Sequence, residues 1–180
     1  VKSLSGVLAS AFIVLALSGC SAATADPSAS SSLDTTDYQI THFAVDPPKQ
    51  SDIVLRASGS TYTHFTMGQL DAMATQKQTL FERFSDKTET FRGISLADLF
   101  AVTGIKHSDR LVFFASDDYR YIDTAENMIK NDGILAVAMN GKPIPADQGG
   151  PIRIVFPDKT RYAGISEPWV WSLVRISKAG

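Results

Sequence analysis

Cysteine is almost missing from this sequence: Cys20 is the only one among 180 residues. The body of the chain therefore offers no thiolate as a soft metal ligand, a task that serine and threonine perform poorly. Histidine is nearly as scarce, and His42, His64 and His107 are too widely spaced to form a metal-ligating pair. Basic runs and base-stacking motifs are also lacking, and with a net charge of -2 nothing in the charge pattern favours nucleic acid as a partner. The apolar run from Val7 to Leu17 is too short to serve as a stable membrane span. Ser116-Asp117 has neither a nearby histidine nor a nucleophile-elbow context, which leaves hydrolase chemistry without support. No internal repeat is present, and the length suits one domain with its own core.

What is there begins at the amino terminus. Lys2 precedes the Val7 to Leu17 run, and Leu17-Ser18-Gly19-Cys20 follows it directly. That order is expected of a lipoprotein signal over residues 1–19, cut before a cysteine that is then acylated. Several acyl chains anchor a protein stably, at roughly 0.8 kcal/mol per buried methylene. Residues 20–37 then read as the acylated Cys20 and a tether almost free of large apolar groups, unable to bury enough surface to offset ordering. The expectation is an exported protein held by lipid at the periplasmic face, with Ser21 favouring the outer membrane over the inner. A folded domain over residues 38–180 completes the organisation.

Within that domain, Tyr38 to Val45 and Ile53 to Ala57 read as strands separated by Pro47-Pro48. Thr66 and Gln69 have capping-box spacing ahead of a short helix, and Lys77 to Phe84 alternates as a strand with Leu80, Glu82 and Phe84 on one side. Ser95 caps a second helix that Gly104 ends, with Leu96, Leu99, Phe100 and Ile105 facing the core. Leu111 to Ala115 and Tyr119 to Ile122 read as strands around a polar corner. Thr124 to Lys130 is a third helix, and Ile134 to Met139 a strand entering a tight Asn140-Gly141 hairpin. Many short strands with a few short helices predict a mixed α+β fold.

The stretch after that hairpin organises the rest. Gly149-Gly150-Pro151 leads into Ile152-Arg153-Ile154-Val155-Phe156, whose alternation places Arg153 and Val155 opposite the other three, and an aromatic closing strand with Trp171 follows. Together with Phe91-Arg92-Gly93-Ile94-Ser95-Leu96-Ala97-Asp98-Leu99-Phe100 and Ala115-Ser116-Asp117-Asp118-Tyr119, this resembles the molybdopterin-binding domain of the sulfite-oxidase type over roughly residues 60 to 176. The resemblance implies that family's α+β fold of mixed sheets and short helices. It also implies a molybdenum-ligating cysteine between Lys77 and Thr90, where this chain has none. A basic residue is implied before Trp171, where Val170 stands, and its loss weakens a phosphate site. The narrower resemblance is to exported pterin-binding proteins (PruR-like) that lack the metal-ligating cysteine.

A pterin ring needs a carboxylate for its amino edge, a cation or amide for its carbonyl and an aromatic face. Asp117, Asp118 and Glu167 supply carboxylates, Arg153 and Arg161 cations, and Tyr119, Tyr162, Trp169 and Trp171 aromatic faces. The candidate ligand contacts are Asp117, Asp118, Tyr119, Arg153, Glu167, Trp169 and Trp171. Each has a plainer alternative: Arg153 paired with Asp117 or Asp118, Asp117-Asp118 as turn chemistry, Trp171 as core, Trp169 as an exposed interface residue. The function expected from the resemblance is a non-catalytic pterin binder without molybdenum. It would relay occupancy to a membrane-bound signalling protein, a cyclic di-GMP enzyme or a sensor kinase. The alternatives are a molybdopterin-dependent oxidoreductase or a subunit of one, and an adaptor with a vestigial pocket.

Overall fold

The computed structural model describes residues 46–179, so the lipoprotein signal, the tether with Cys20 and the strand expected over Tyr38 to Val45 lie outside the described residues. Two sheets carry the chain, the first mixed and the second antiparallel throughout. The first has strand order β2 (Tyr62–Thr66), β1 (Ile53–Ser58), β10 (Leu173–Lys178), β5 (Arg110–Ala115) and β6 (Arg120–Thr124). All its pairings are antiparallel except β1 with β10. The second runs β3 (Gln76–Glu82), β4 (Lys87–Ser95), β7 (Ile134–Met139) and the short β8 (Lys142–Pro143), with β9 (Arg153–Val155) also paired to β7. Three helices, α1 (Met67–Met73), α2 (Leu96–Thr103) and α3 (Ala125–Lys130), sit between strands. One apolar cluster draws on both sheets, joining Leu55, Phe113 and Ile176 of the first to Phe91, Leu135 and Ile154 of the second. The α+β fold expected from the sequence is the fold observed.

Local chemistry accounts for the helices. Thr66 accepts from the Gln69 amide while the Gln69 side chain accepts from the Thr66 amide, which closes a reciprocal cap on α1. Ser95 caps α2 by accepting from the Asp98 amide, and Gly104 ends it in the left-handed region. Leu96, Leu99, Phe100 and Ile105 are all buried, as their spacing predicts. Asn140 and Gly141 both take positive φ, 52° and 75°, in the tight turn between β7 and β8.

Two strands were missed and one expectation needs correction. Strands β2 and β4 do not stand out in the sequence: β4 carries Lys87, Glu89 and Arg92 and a register shift between Arg92 and Gly93, which blur its alternation. Both sides of β9 are buried, Arg153 and Val155 as well as Ile154. Trp169 lies in a loop, as its place after Pro168 suggests, but Trp171 belongs to the same loop and not to the closing strand, which starts only at Leu173. Ser172, at φ 46°, turns the chain between them and β10.

Replacing Thr66 by Ala removes the side-chain acceptor of the α1 cap, and a loss of about 1 kcal/mol is expected. Urea denaturation followed by far-ultraviolet circular dichroism measures it, and an unchanged midpoint would show that the cap is replaced by water.

Candidate functional site

A concave feature lies at the corner between β5 and β6, where a cavity of about 380 Å³ is lined by Phe84, Ala115, Asp117, Tyr119, Ser166, Glu167, Trp169 and Trp171. That volume is within the range of small-molecule sites. Five of the seven predicted ligand contacts are therefore together: Asp117, Tyr119, Glu167, Trp169 and Trp171. Asp118 is not among the lining residues; it is exposed and takes the left-handed conformation, φ 68°, that the corner requires. Arg153 is not a lining residue either. Arg161 is exposed in a 3-10 turn (Arg161–Gly164), and Tyr162 is buried.

Each wall has an identifiable support. The Asp117 carboxylate accepts from the Tyr119 amide at 3.1 Å, so it serves the turn and the cavity at once. Tyr119 donates its phenol to the Glu167 carbonyl at 2.9 Å and thereby ties the β5–β6 corner to the loop before Trp169. Burial, then the Glu167 charge, pushes that phenol above its ordinary value, so it stays protonated. Trp169 is only 3% exposed, not the exposed interface tryptophan that its loop position suggested. Its indole N–H donates to the Tyr162 carbonyl at 2.7 Å. Phe84 meets both indoles edge to face, with centroids 6.1 Å from Trp169 and 5.1 Å from Trp171.

Behind this wall lies Arg153, 1% exposed. Its partner is Glu82 at 3.1 Å, and not Asp117 or Asp118; a second N–H group donates to the Gln148 carbonyl at 2.9 Å. The guanidinium carbon stands 4.3 Å from the Trp171 ring centroid. Burial pulls the guanidinium down to about 10, against the charge and hydrogen bond of Glu82. Glu82 was legible: the alternation of Lys77 to Phe84 places it beside Leu80 on the core side, where an acid needs a cation. Phe84 shares that side in the alternation, but β3 ends at Glu82, and beyond it Phe84 is 47% exposed and lines the cavity.

Among the described residues, three buried side-chain polar atoms lack a partner: Gln78 Oε1, Arg153 Nε and Trp171 Nε1. Of these, Trp171 Nε1 belongs to a residue that lines the cavity, and Arg153 Nε to the guanidinium stacked behind that indole. A buried donor without an acceptor is costly, which points to a ligand with acceptors. Asp117 and Glu167 offer acceptors to a ligand with donors. A flat ring carrying both kinds of edge fits this set, and a pterin is such a ring. Phosphate fits less well, because no lysine or arginine lines the cavity. Metal finds no ligand group: among the described residues there is no cysteine, and no three histidines, acids or cysteines converge.

The same region of the chain decides the family. Residues 42–178 match the oxidoreductase molybdopterin binding domain. The chain belongs to that family. The sulfane dehydrogenase SoxCD from Paracoccus pantotrophus has a similar fold, with a TM-score of 0.54 and 19% sequence identity over 75% of this chain. The match spans only 40% of that dehydrogenase chain. No curated protein is significantly similar in sequence. The family is one of oxidoreductase domains, which overturns the expected non-catalytic relay to a membrane signalling protein and favours the oxidoreductase alternative. The molybdopterin-binding family also supports a pterin-related ligand.

The wall around Trp169 has a remote support. Asp123 accepts from the phenols of Tyr162 and Tyr121, from the Asn127 amide group and from the Thr124 amide. Burial alone would push its carboxyl up, but these donors outweigh it and hold it below the usual range. A depressed folded value gives stability that is present above the unfolded value, about pH 4, and is lost as pH falls through the folded one. Asp123→Asn should therefore flatten the melting temperature against pH below about pH 4, as read by calorimetry. Glu82→Ala, which strands the Arg153 charge, should cost about 3–5 kcal/mol in urea denaturation. A loss near zero would show that water reaches the guanidinium.

Proposed function

We propose that this chain is a subunit of a molybdopterin-dependent oxidoreductase and supplies the pocket that holds the pterin ring. The supporting observation is the cavity itself, in a domain of that family: the orphan indole donor of Trp171, the Asp117 and Glu167 carboxylates, and aromatic walls around them. Trp169, Trp171, Phe84 and Tyr119 would hold the ring flat. The carboxylates would accept from its amino edge, and the Trp171 indole N–H would serve an acceptor on its carbonyl edge, with the Arg153 charge stacked behind that indole. The cofactor, when bound, supplies the electron-transfer centre; the residues of this chain bind and orient the ring and keep water from its faces.

The fit is divided. The cavity residues suit recognition of a ring, whereas a soft metal ligand and phosphate-binding cations are not among them. In this proposal they come from elsewhere in the assembled enzyme, consistent with a chain that spans 40% of the matched dehydrogenase chain. Export and acylation at Cys20 are part of the same proposal, supported by the Leu17-Ser18-Gly19-Cys20 motif. They predict that labelled palmitate enters the protein and that Cys20→Ser abolishes the label.

The deciding experiment uses the chain purified from a host that makes molybdopterin. Mass spectrometry of the denatured protein should reveal a molybdopterin-class ligand, and titration calorimetry should show a reduced pterin binding to the ligand-free protein. Asp117→Asn combined with Glu167→Gln should weaken that binding by about 10- to 100-fold, as expected for losing charge-assisted hydrogen bonds of about 1.5–3 kcal/mol. A protein that neither carries nor takes up a pterin would overturn the proposal.

A further inference from the structure

The outward side of the first sheet carries a row of cations. Cross-strand partners in a sheet point to the same side, and the register pairs His64 with Arg56, Arg56 with Arg175, Arg175 with Phe114 and Phe114 with Arg120. One rung across all five strands thus reads His64, Arg56, Arg175, Phe114, Arg120. With strands about 4.8 Å apart it is roughly 19 Å wide. The three arginines and the histidine are exposed, while Leu55, Ala57, Phe65 and Ile176, each next to one of them in sequence, are buried on the other side. Arg110 continues the same side of β5, and the exposed Ile122 stands one rung away against Val112.

Among the described residues, no acid is ion-paired with this row. The side-chain ion pairs among the described residues are Arg92 with Asp71, Lys130 with Glu126, Arg153 with Glu82 and Lys178 with Asp109, and none involves the row. Arg56 and Arg175 are direct partners on adjacent strands, an arrangement that destabilises a sheet. Basic composition does not explain it, because the chain carries a net charge of -2. Two of the three guanidinium groups are also held in place: Arg175 stacks on Phe114 with its central carbon 3.8 Å from the ring centroid, and Arg120 does so at 5.4 Å. A guanidinium fixed by stacking presents a planar fork suited to carboxylates, and arginine with aromatic neighbours is the composition of protein interfaces.

We propose that this arginine rung is a docking surface for a protein partner that presents a row of aspartates or glutamates. Complementary charge would steer the encounter and set the register of the complex. A lipid surface suits the face less well: its row is built mainly of arginines, two of them stacked on Phe114, without the flexible lysines that follow a fluid headgroup layer. The inference is independent of the proposed reaction, since the rung lies outside the cavity and shares no residue with it.

The test uses the full chain and a hairpin peptide with glutamates along one face, immobilised for surface plasmon resonance, beside phosphatidylglycerol vesicles. The wild type should bind the peptide, with affinity falling as salt rises. The triple variant Arg56→Gln, Arg120→Gln, Arg175→Gln should bind at least ten-fold more weakly, whereas Lys87→Gln, Lys106→Gln, Lys159→Gln, with the same charge change elsewhere, should bind as the wild type does. As a separate check on folding, Arg56→Gln alone should leave the melting temperature unchanged or raise it, because it relieves like-charge repulsion. Equal losses in both triple variants, no peptide binding, or binding to the vesicles alone would overturn the proposal, as would a lowered melting temperature for Arg56→Gln.

Discussion

A guanidinium buried among aromatic rings sets the terms for the rest of this domain. Arg153 sits in β9 with almost no exposure, and its charge is drawn below the ordinary range even with Glu82 beside it. Burying both charges costs several kcal/mol per ion, and their attraction offsets that only in part. What the pair supplies is position. Glu82 ends β3 and Arg153 opens β9, strands that are not hydrogen-bonded neighbours, so one contact ties them across the second sheet. The Gln148 carbonyl adds the segment before Gly149-Gly150, and the face of Trp171 adds the cavity wall. An apolar side chain at residue 153 would fill the space without specifying which strand meets which.

The cavity is assembled from loops pinned to one another by backbone bonds. Ser172 accepts from the Ser116 amide and donates its own amide to the Gly149 carbonyl, and its hydroxyl donates to the Gly150 carbonyl. One residue thereby joins the β5–β6 corner, the glycine turn and the tryptophan loop. Gly149 has no alternative at that turn: it takes φ 80°, and a Cβ there would come within 2.6 Å of Trp171. On the far side, Asp123 holds Tyr162, and Tyr162 holds the Trp169 indole through its carbonyl. The wall is thus supported both from beneath and from α3.

Much of this was legible. Caps announce themselves through residue types at fixed spacing, which is why Thr66, Ser95, Gly104 and Asn140-Gly141 could be read directly. Five cavity residues could be named because loops after strands gather the acids and aromatics that a flat ring needs. What stayed hidden depends on three dimensions. Arg153 and Glu82 are separated by 71 residues, and no local pattern couples them. Strand β4 is disguised by charged residues at its exposed end and by its bulge, and Phe84 reaches the cavity only because the turn after β3 brings it there. The rung of cations is scattered over four strands and becomes a row only when the register is known.

One further property follows from where the indoles stand. The chain has only two tryptophans, and both are in the wall of the same cavity. Each is touched by Phe84, and Trp171 also lies under a guanidinium. Light absorbed at tryptophan wavelengths and emitted again therefore comes from this site alone, with no background from the remainder of the domain. An absorbing ring seated between the indoles would drain that emission, so the domain carries a built-in optical gauge of its own occupancy.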